Sequence, residues 1–412
     1  MIRLVYTIGI RLYGVFLLIA GMFHSKAAKW VDGRKNLFAA MEPLRLDKAP
    51  KAWFHVASLG EFEQARPLIE AYRKLHPQIK ILITFFSPSG YEIRKNYSGA
   101  DYIYYLPLDT PQNARQLLDI VRPSIIFFVK YEFWYNLLIE IQYRKIPVYL
   151  VSGIFRADQH FFKTYGGWFR GILKGFDHLF VQNKASLQLL QHHGIMNCSV
   201  SGDTRFDRVA DVLQSRKKLP LIEEFIQSSL IVVGGSTWPP EEELLSELLI
   251  MHSGTFKLIV APHDIDGEHC EEIRQRFGGQ SILYSEAQDV ERLRAARVLI
   301  IDNIGMLTSV YGYADIAVVG GGFKTGLHNV LEPAAFGIPV VFGPQYGKFD
   351  EARGLLAAAG GFSARTQQEM AAMLAELIED GGKRRSAGRE AGHFVQERRG
   401  AADKILHHIA QI

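Results

Sequence analysis

The chain has 412 residues, 48% of them hydrophobic, and 47 Lys and Arg stand against 43 Asp and Glu. That length supports two domains with separate cores, and a net charge of +4 argues against nucleic acid while suiting an anionic surface or anionic ligands. The two cysteines, Cys198 and Cys270, are isolated, with no CxxC and no His/Cys spacing; this speaks against a disulfide framework and a zinc site, and a reducing compartment is expected.

Residues 1–30, MIRLVYTIGIRLYGVFLLIAGMFHSKAAKW, are apolar from Leu4 to Phe23 and interrupted by Arg11. No small-residue cleavage site follows, so the segment does not read as a removable signal. Counted from Leu4 it reaches the roughly 20 residues that span a bilayer. Arg3, Arg11, Lys26, Lys29, Arg34 and Lys35 surround it, and cations beside an apolar helix favour an anionic membrane surface. The segment is expected to be a membrane-anchor helix, whether it spans the bilayer or lies in the interface.

From Trp53 onward short apolar runs alternate with amphipathic stretches. AWFHVAS, IKILITFF, DYIYYLP, PSIIFFVK, PVYLVSG and HLFVQN are predicted strands, with helices such as FEQARPLIEAYRKLH and TPQNARQLLDIVR between them. The pattern predicts a parallel sheet covered by helices, an α/β domain over 31–210. In such sheets ligands bind outside the carboxyl ends of the strands. One strand end carries Ser58-Leu59-Gly60-Glu61. Ser-x-x-Glu before a helix is a capping box, and that is its structural reading. Its chemical reading is a general base: the helix dipole holds a carboxylate there ionised, and Gly60 permits close approach of a bulky ligand. YEFWYN places Glu132 at another strand end, where a buried or capping role is equally open.

SGDTRFDRVADVLQSRKKLP reads as a polar connection with a short helix. A second series follows: strands LIVVGGS, FKLIVAP, SILYSE, RVLIID, IAVVGG and PVVFG, with helices EEELLSELLIMH, EEIRQRF, MLTSVYGYA, NVLEPAAF and MAAMLAELIED. This predicts a second α/β domain over 211–395, and a last helical stretch, 396–412, that packs back on the first domain. Three clusters stand at its strand ends. Gly-Gly-Ser-Thr, with Ser236 and Thr237, precedes a helix starting at Pro240; glycines and hydroxyls there suit a phosphate or a plain N-cap. Asp302 to Leu307 follows a strand, where the amides of Gly305, Met306 and Leu307 suit a base edge, or where Asp302 caps a helix. In VVGGGFKTGLHNVLEPAAFGIPVVFGP, three glycines lead to His328-Asn329, which opens a helix with Glu332 one turn in. A carboxylate there can accept two ribose hydroxyls, and this spacing is the most specific in the chain. His263 in VAPHD suits a phosphate contact, although a lone histidine is more often structural. Neither metal nor cofactor is expected.

Together SLGE, Leu106-Pro107-Leu108-Asp109, YEFWYN, GDTRFD, GGST and GLHNVLEPAAFGIPVVFGP resemble the 3-deoxy-D-manno-octulosonic acid (Kdo) transferases of Gram-negative envelope synthesis. The resemblance implies the GT-B architecture of two facing Rossmann-like domains with an N-terminal membrane-associated helix. It implies transfer of Kdo from CMP-Kdo to a lipid A precursor with inversion and without metal, at the cytoplasmic face of the inner membrane. It matches the catalytic base to Glu61 and an acceptor-side carboxylate to Glu132, beside Ser58 and Gly60. The family's nucleotide loops match Ser236, Thr237, Gly305, Met306, Leu307, His328, Asn329 and Glu332, and its GN-x-KFD puts Arg205 near the donor. Two motifs depart. Trp238-Pro239-Pro240 replaces a histidine and glycine after GST, and Ala261-Pro262-His263 lacks the arginine of a Pro-Arg-His. A UDP-sugar transferase or epimerase of the same architecture, and a nucleotide-sugar binding protein without catalysis, are the competing expectations.

Overall fold

The computed structural model describes residues 2–214, 218–252, 254–324 and 326–411; residues 215–217 of the polar connection lie outside them. The chain forms two units, 1–208 with 399–412, and 209–398.

The first unit is built on β1 (Lys51–Val56), β2 (Lys80–Phe85), β3 (Tyr102–Tyr105), β4 (Ile125–Val129), β5 (Val148–Gly153), β6 (His178–Val181) and β7 (Cys198–Val200). All pair in parallel in the order β3-β2-β1-β4-β5-β6-β7. Every residue of β1 and β4 is buried, because helices cover both faces; that is why these strands read as continuous apolar runs rather than alternating ones. One face packs around Trp53, Leu82 and Phe128, the other around Phe54, Phe62 and Phe127. Ala402, Ile405 and Leu406 of the helix Ala401–Ala410 complete the second face. That helix is capped from a distance: Asp207 accepts hydrogen bonds from the amides of Gly400 (2.5 Å) and Ala402 (2.8 Å).

The second unit repeats the plan with β8 (Leu230–Thr237), β9 (Phe256–Pro262), β10 (Ser281–Leu283), β11 (Val298–Ile300), β12 (Ile316–Val319), β13 (Val340–Phe342) and β14 (Gly361–Ser363), ordered β10-β11-β9-β8-β12-β13-β14. β7 and β14 were not expected. Each is a three-residue edge strand, too short to leave a pattern in the sequence. Within the last stretch, 396–412, the helix is Ala401–Ala410; it is separated from the preceding helix, Gly381–Gln396, at Gly400, whose φ of 91° is left-handed.

The first helix, Ile2–Ala20, is long and apolar enough to cross a membrane, and only 11% of its most apolar stretch is buried. It nevertheless carries one polar face against the body of its unit. Arg3 Nε donates to Asn136 Oδ1 (3.0 Å), and Tyr6 Oη donates to Asp109 Oδ2 (2.8 Å). Asp109 also accepts from the amides of Asn136 and Leu137, both at 2.9 Å. It thereby caps the helix Tyr135–Tyr143, whose own N-cap, Trp134, makes no side-chain cap. Arg34 is a correction to the expected basic flank. Its guanidinium is buried, donating to the carbonyls of Trp30, Phe86 and Leu106 and lying over the Trp30 ring. Burial pulls its pKa down to about 9. It ties the chain after the anchor to the sheet and does not face a membrane.

His178 of β6 stacks against His408 at 4.1 Å between ring centroids. Burial, and next the charge of His408, pulls the His178 pKa down to about 4 from 6.5. A base with a depressed folded pKa adds stability above its unfolded value and loses it as pH falls towards the folded one. Hydrogen-exchange protection of residues 401–410, taken relative to the intrinsic exchange rate at each pH, is therefore expected to fall between about pH 6.5 and 4, and to stay level there in His178→Phe.

Candidate functional site

In the first sheet β1 and β4 are neighbours whose connections run to opposite sides, so their carboxyl ends form the topological switch point. The helix Leu59–Leu75 starts there, with Glu61 in its first turn. The capping box is not formed. Ser58 makes no side-chain cap; its hydroxyl donates to the Glu61 carboxylate instead. Gly60 is exposed, and a Cβ on it would meet only Ser58 Oγ, at 3.9 Å. Nothing in the fold requires glycine there, so its bareness serves the space beside Glu61.

At the end of β4 Lys130 has a left-handed φ of 60°, a costly conformation for a residue with a Cβ and one that clusters at functional sites. Glu132 follows. Its Oε2 accepts from Trp134 Nε1 (2.8 Å) and lies 3.1 Å from His55 Nε2. His55 is fully buried in β1, with Nδ1 2.8 Å from Thr84 Oγ1. Trp53 Nε1 donates to that same hydroxyl (2.8 Å). The Thr84 hydroxyl can accept from both, and His55 Nδ1 also lies 3.2 Å from the Thr84 carbonyl, which only accepts, so Nδ1 carries the proton and the Trp134 N–H is shared between His55 Nε2 (3.0 Å) and Glu132. A chain of five buried or half-buried groups thus holds Glu132 in one place. Sequence reasoning found Glu132 but not His55, Thr84 or Trp53, which sit in strands that read as core.

Arg205 belongs to this unit. Its Nε and Nη2 both bond Asp203 Oδ2, at 2.9 and 2.6 Å. Burial pushes the Asp203 carboxyl up, but the charge and hydrogen bonds of Arg205 outweigh it and hold the group below the usual range. Gln64, one turn after Glu61, donates to the same Asp203, and Thr204 Oγ1 donates to the Gln64 carbonyl (2.5 Å). GDTRFD thus braces the helix that carries Glu61.

In the second sheet the switch point lies between β8 and β12. Glycines let the loops meet there. A Cβ on Gly235 would lie 1.9 Å from the Tyr311 hydroxyl, one on Gly320 2.1 Å from the Ser236 carbonyl, and one on Gly322 2.5 Å from the Gly343 nitrogen. Ser236 is itself left-handed at φ 51°. The helix begins at Pro239, and its own glutamates occupy the donors at its start. Glu241 accepts from the amides of Gly321 and Trp238, both at 3.1 Å. Glu242 accepts from Thr237 Oγ1 (3.0 Å) and contacts His269 Nε2 (3.1 Å). Burial pushes both carboxyls up. The expected phosphate cradle is corrected accordingly: Thr237 is fully buried with its hydroxyl committed to Glu242.

What remains open at this end is a stack of rings and a braced carboxylate. Trp238 and His263 stack at 4.7 Å and 23°, His263 and His328 at 4.5 Å and 30°. Trp238 Nε1 donates to His328 Nε2 (3.2 Å). Glu332 accepts from Thr308 Oγ1 (2.8 Å) and Asn329 Nδ2 (2.9 Å). Thr308 follows Gly305-Met306-Leu307, so it joins that loop to Glu332. His328-Asn329 does not open the helix, which is Leu331–Ala335; the Asn329 side chain accepts the Leu331 amide (3.0 Å) and starts it. Glu332 is thus in the first turn. Trp238 and Thr308 are the residues here that sequence reasoning had not assigned to the site.

Two Rossmann-like units, each a seven-stranded parallel sheet with a switch point, define a GT-B type fold. The fold is similar to that of UDP-GlcNAc 2-epimerase from Neisseria meningitidis bound to UDP-GlcNAc (TM-score 0.62, 17% identity, 88% of this chain and 100% of that one), a likeness of fold alone. Residues 33–208 match the family model of the 3-deoxy-D-manno-octulosonic-acid transferases (kdotransferase). Curated 3-deoxy-D-manno-octulosonic acid transferases are similar over most of the chain: that of Aquifex aeolicus is 29% identical over 79% of this chain and 85% of its own, and that of Rickettsia bellii 25% identical over 100% and 99%.

Proposed function

We propose that the chain is an inverting glycosyltransferase that moves Kdo from CMP-Kdo to a lipid A precursor in lipopolysaccharide synthesis. The observation that carries this reading is Glu61: a carboxylate at a helix N-terminus and strand switch point, beside an open glycine, within the family's own segment. Glu61 takes the proton of an acceptor glucosamine hydroxyl. The freed oxygen attacks the anomeric carbon of Kdo, and the bond to CMP breaks on the opposite face. The electron pair leaves on the CMP phosphate, where histidines and loop amides of the second unit are the stabilising donors. Glu332 takes the ribose hydroxyls. Ser58, Gly60 and Glu132 serve the acceptor.

The lipid side of the reading rests on the first helix. Leu4, Val5, Leu12, Phe16 and Leu18 are exposed on it, and a hollow of about 620 Å³ beside it is lined by Arg11, Leu18, Trp30, Phe38 and Leu108. A helix polar towards its own body and apolar outward suits the bilayer interface, here the cytoplasmic face of the inner membrane. The test is transfer of Kdo from CMP-Kdo to a tetraacylated lipid A precursor, with CMP and UDP titrated in parallel. Transfer with CMP preferred is expected. Preference for UDP, or donor binding without turnover, would replace this reading.

A further inference from the structure

Trp238 stands where β8 hands over to the helix Pro239–Met251, and its indole nitrogen can only donate. Because that nitrogen bonds His328 Nε2 at 3.2 Å, Nε2 carries no proton. Burial, and next the neighbouring His263, lower the pKa of His328 from 6.5, so the ring is neutral at pH 7. Its one proton is then on Nδ1, which has no hydrogen-bond partner among the described residues. His263 stacks on both rings and so fixes their planes. The loop is rigid behind them: the Trp238 amide bonds Glu241, and Gly320 admits no side chain.

We propose that Trp238 is a positioning residue that locks His328 in its Nδ1–H tautomer and so presents a neutral hydrogen-bond donor to an anionic phosphate oxygen of the bound nucleotide. The proposal rests on the reading of the second unit as the donor-binding one. It gives the Trp238-Pro239-Pro240 departure a role. With no arginine ahead of His263, a donor of fixed direction takes up an oxygen that a mobile cation would otherwise contact. A neutral donor also releases the product nucleotide more readily than an ion pair, since neutral hydrogen bonds are roughly half as strong as charged ones.

The experiment uses the full chain. Trp238→Phe keeps a ring in the stack and removes the N–H. In histidine-labelled protein, with His328 signals identified by their loss in His328→Gln, nitrogen NMR is expected to show protonated Nδ1 and bare Nε2 in wild type, and a mixture of tautomers in Trp238→Phe. CMP affinity is expected to fall about tenfold in Trp238→Phe, the KM for CMP-Kdo to rise similarly, and kcat and the melting temperature to change little. His328→Asn, whose amide N–H falls near Nδ1, is expected to hold CMP without help from Trp238, whereas His328→Gln is not; this pair decides the matter even where Trp238→Phe fails to fold. Protonated Nε2 in wild type, or unchanged tautomer and CMP affinity in Trp238→Phe, would overturn the proposal. Failure of wild type to bind CMP would instead overturn the donor reading, and with it the phosphate contact, whatever the tautomer.

Discussion

Glu61→Ala is expected to lower Kdo transfer by about 10²–10⁴-fold while leaving CMP affinity unchanged. The separation follows from where the residue sits. Glu61 belongs to the first unit, and the cluster proposed to bind CMP belongs to the second. Among the described residues the side-chain partner of Glu61 is the half-buried Ser58 hydroxyl, so its removal strands no buried donor there and costs the fold little. Single-turnover transfer and a CMP titration on one preparation check both halves. Glu61→Gln sharpens the result: it keeps the size and accepts from Ser58 but removes the basic oxygen, and it should be as inactive as alanine. Wild-type turnover in either variant would reduce Glu61 to a helix-terminus residue.

Gly320→Val is expected to act oppositely, destabilising the second unit by about 3 kcal/mol and abolishing CMP binding. The Cβ would lie 2.1 Å from the Ser236 carbonyl oxygen and 2.8 Å from Thr237 Cα. Neither backbone can retreat, because Gly320 N–H bonds the Gly235 carbonyl (3.0 Å) where two central strands run side by side. Gly60→Ala is the control: its Cβ meets open space, so its melting temperature should match wild type, and any effect should appear in the KM for the acceptor. Thermal unfolding followed with and without CMP distinguishes the two. Equal CMP stabilisation in Gly320→Val and wild type would refute the expected crowding.

The strands of both sheets were legible because burial on two faces writes them as uninterrupted apolar runs, and the switch-point loops were legible because glycines and carboxylates interrupt those runs. Glu332 and the 302–307 loop could be named separately; only Thr308 shows that they form one arrangement. What stayed hidden shares one cause: partners far apart in sequence. His55 reads as a strand residue until Thr84 and Glu132 are seen on either side of it. Asp109 reads as a loop acid, yet it caps a helix that begins 26 residues later, at Tyr135, and holds Tyr6 of the anchor. Arg34 reads as part of a basic flank, and only the carbonyls of Trp30, Phe86 and Leu106 turn it inward. Glu241 and Glu242 read only as the acidic first residues of a helix, and Gly321, Trp238, Thr237 and His269 show them filling its start.

The path of the chain carries one more consequence. The first unit is made of residues 1–208 and 399–412, and the second lies whole within the gap. On the ribosome the second unit can therefore fold as soon as its own sequence has emerged, whereas the first must wait, with the apolar face around Phe54 and Phe127 uncovered, until Ile405 and Leu406 have been synthesised after it. A nascent chain halted before residue 401 should be held by chaperones or lost to proteases. Quality control would then discard truncated copies before an incomplete enzyme accumulates.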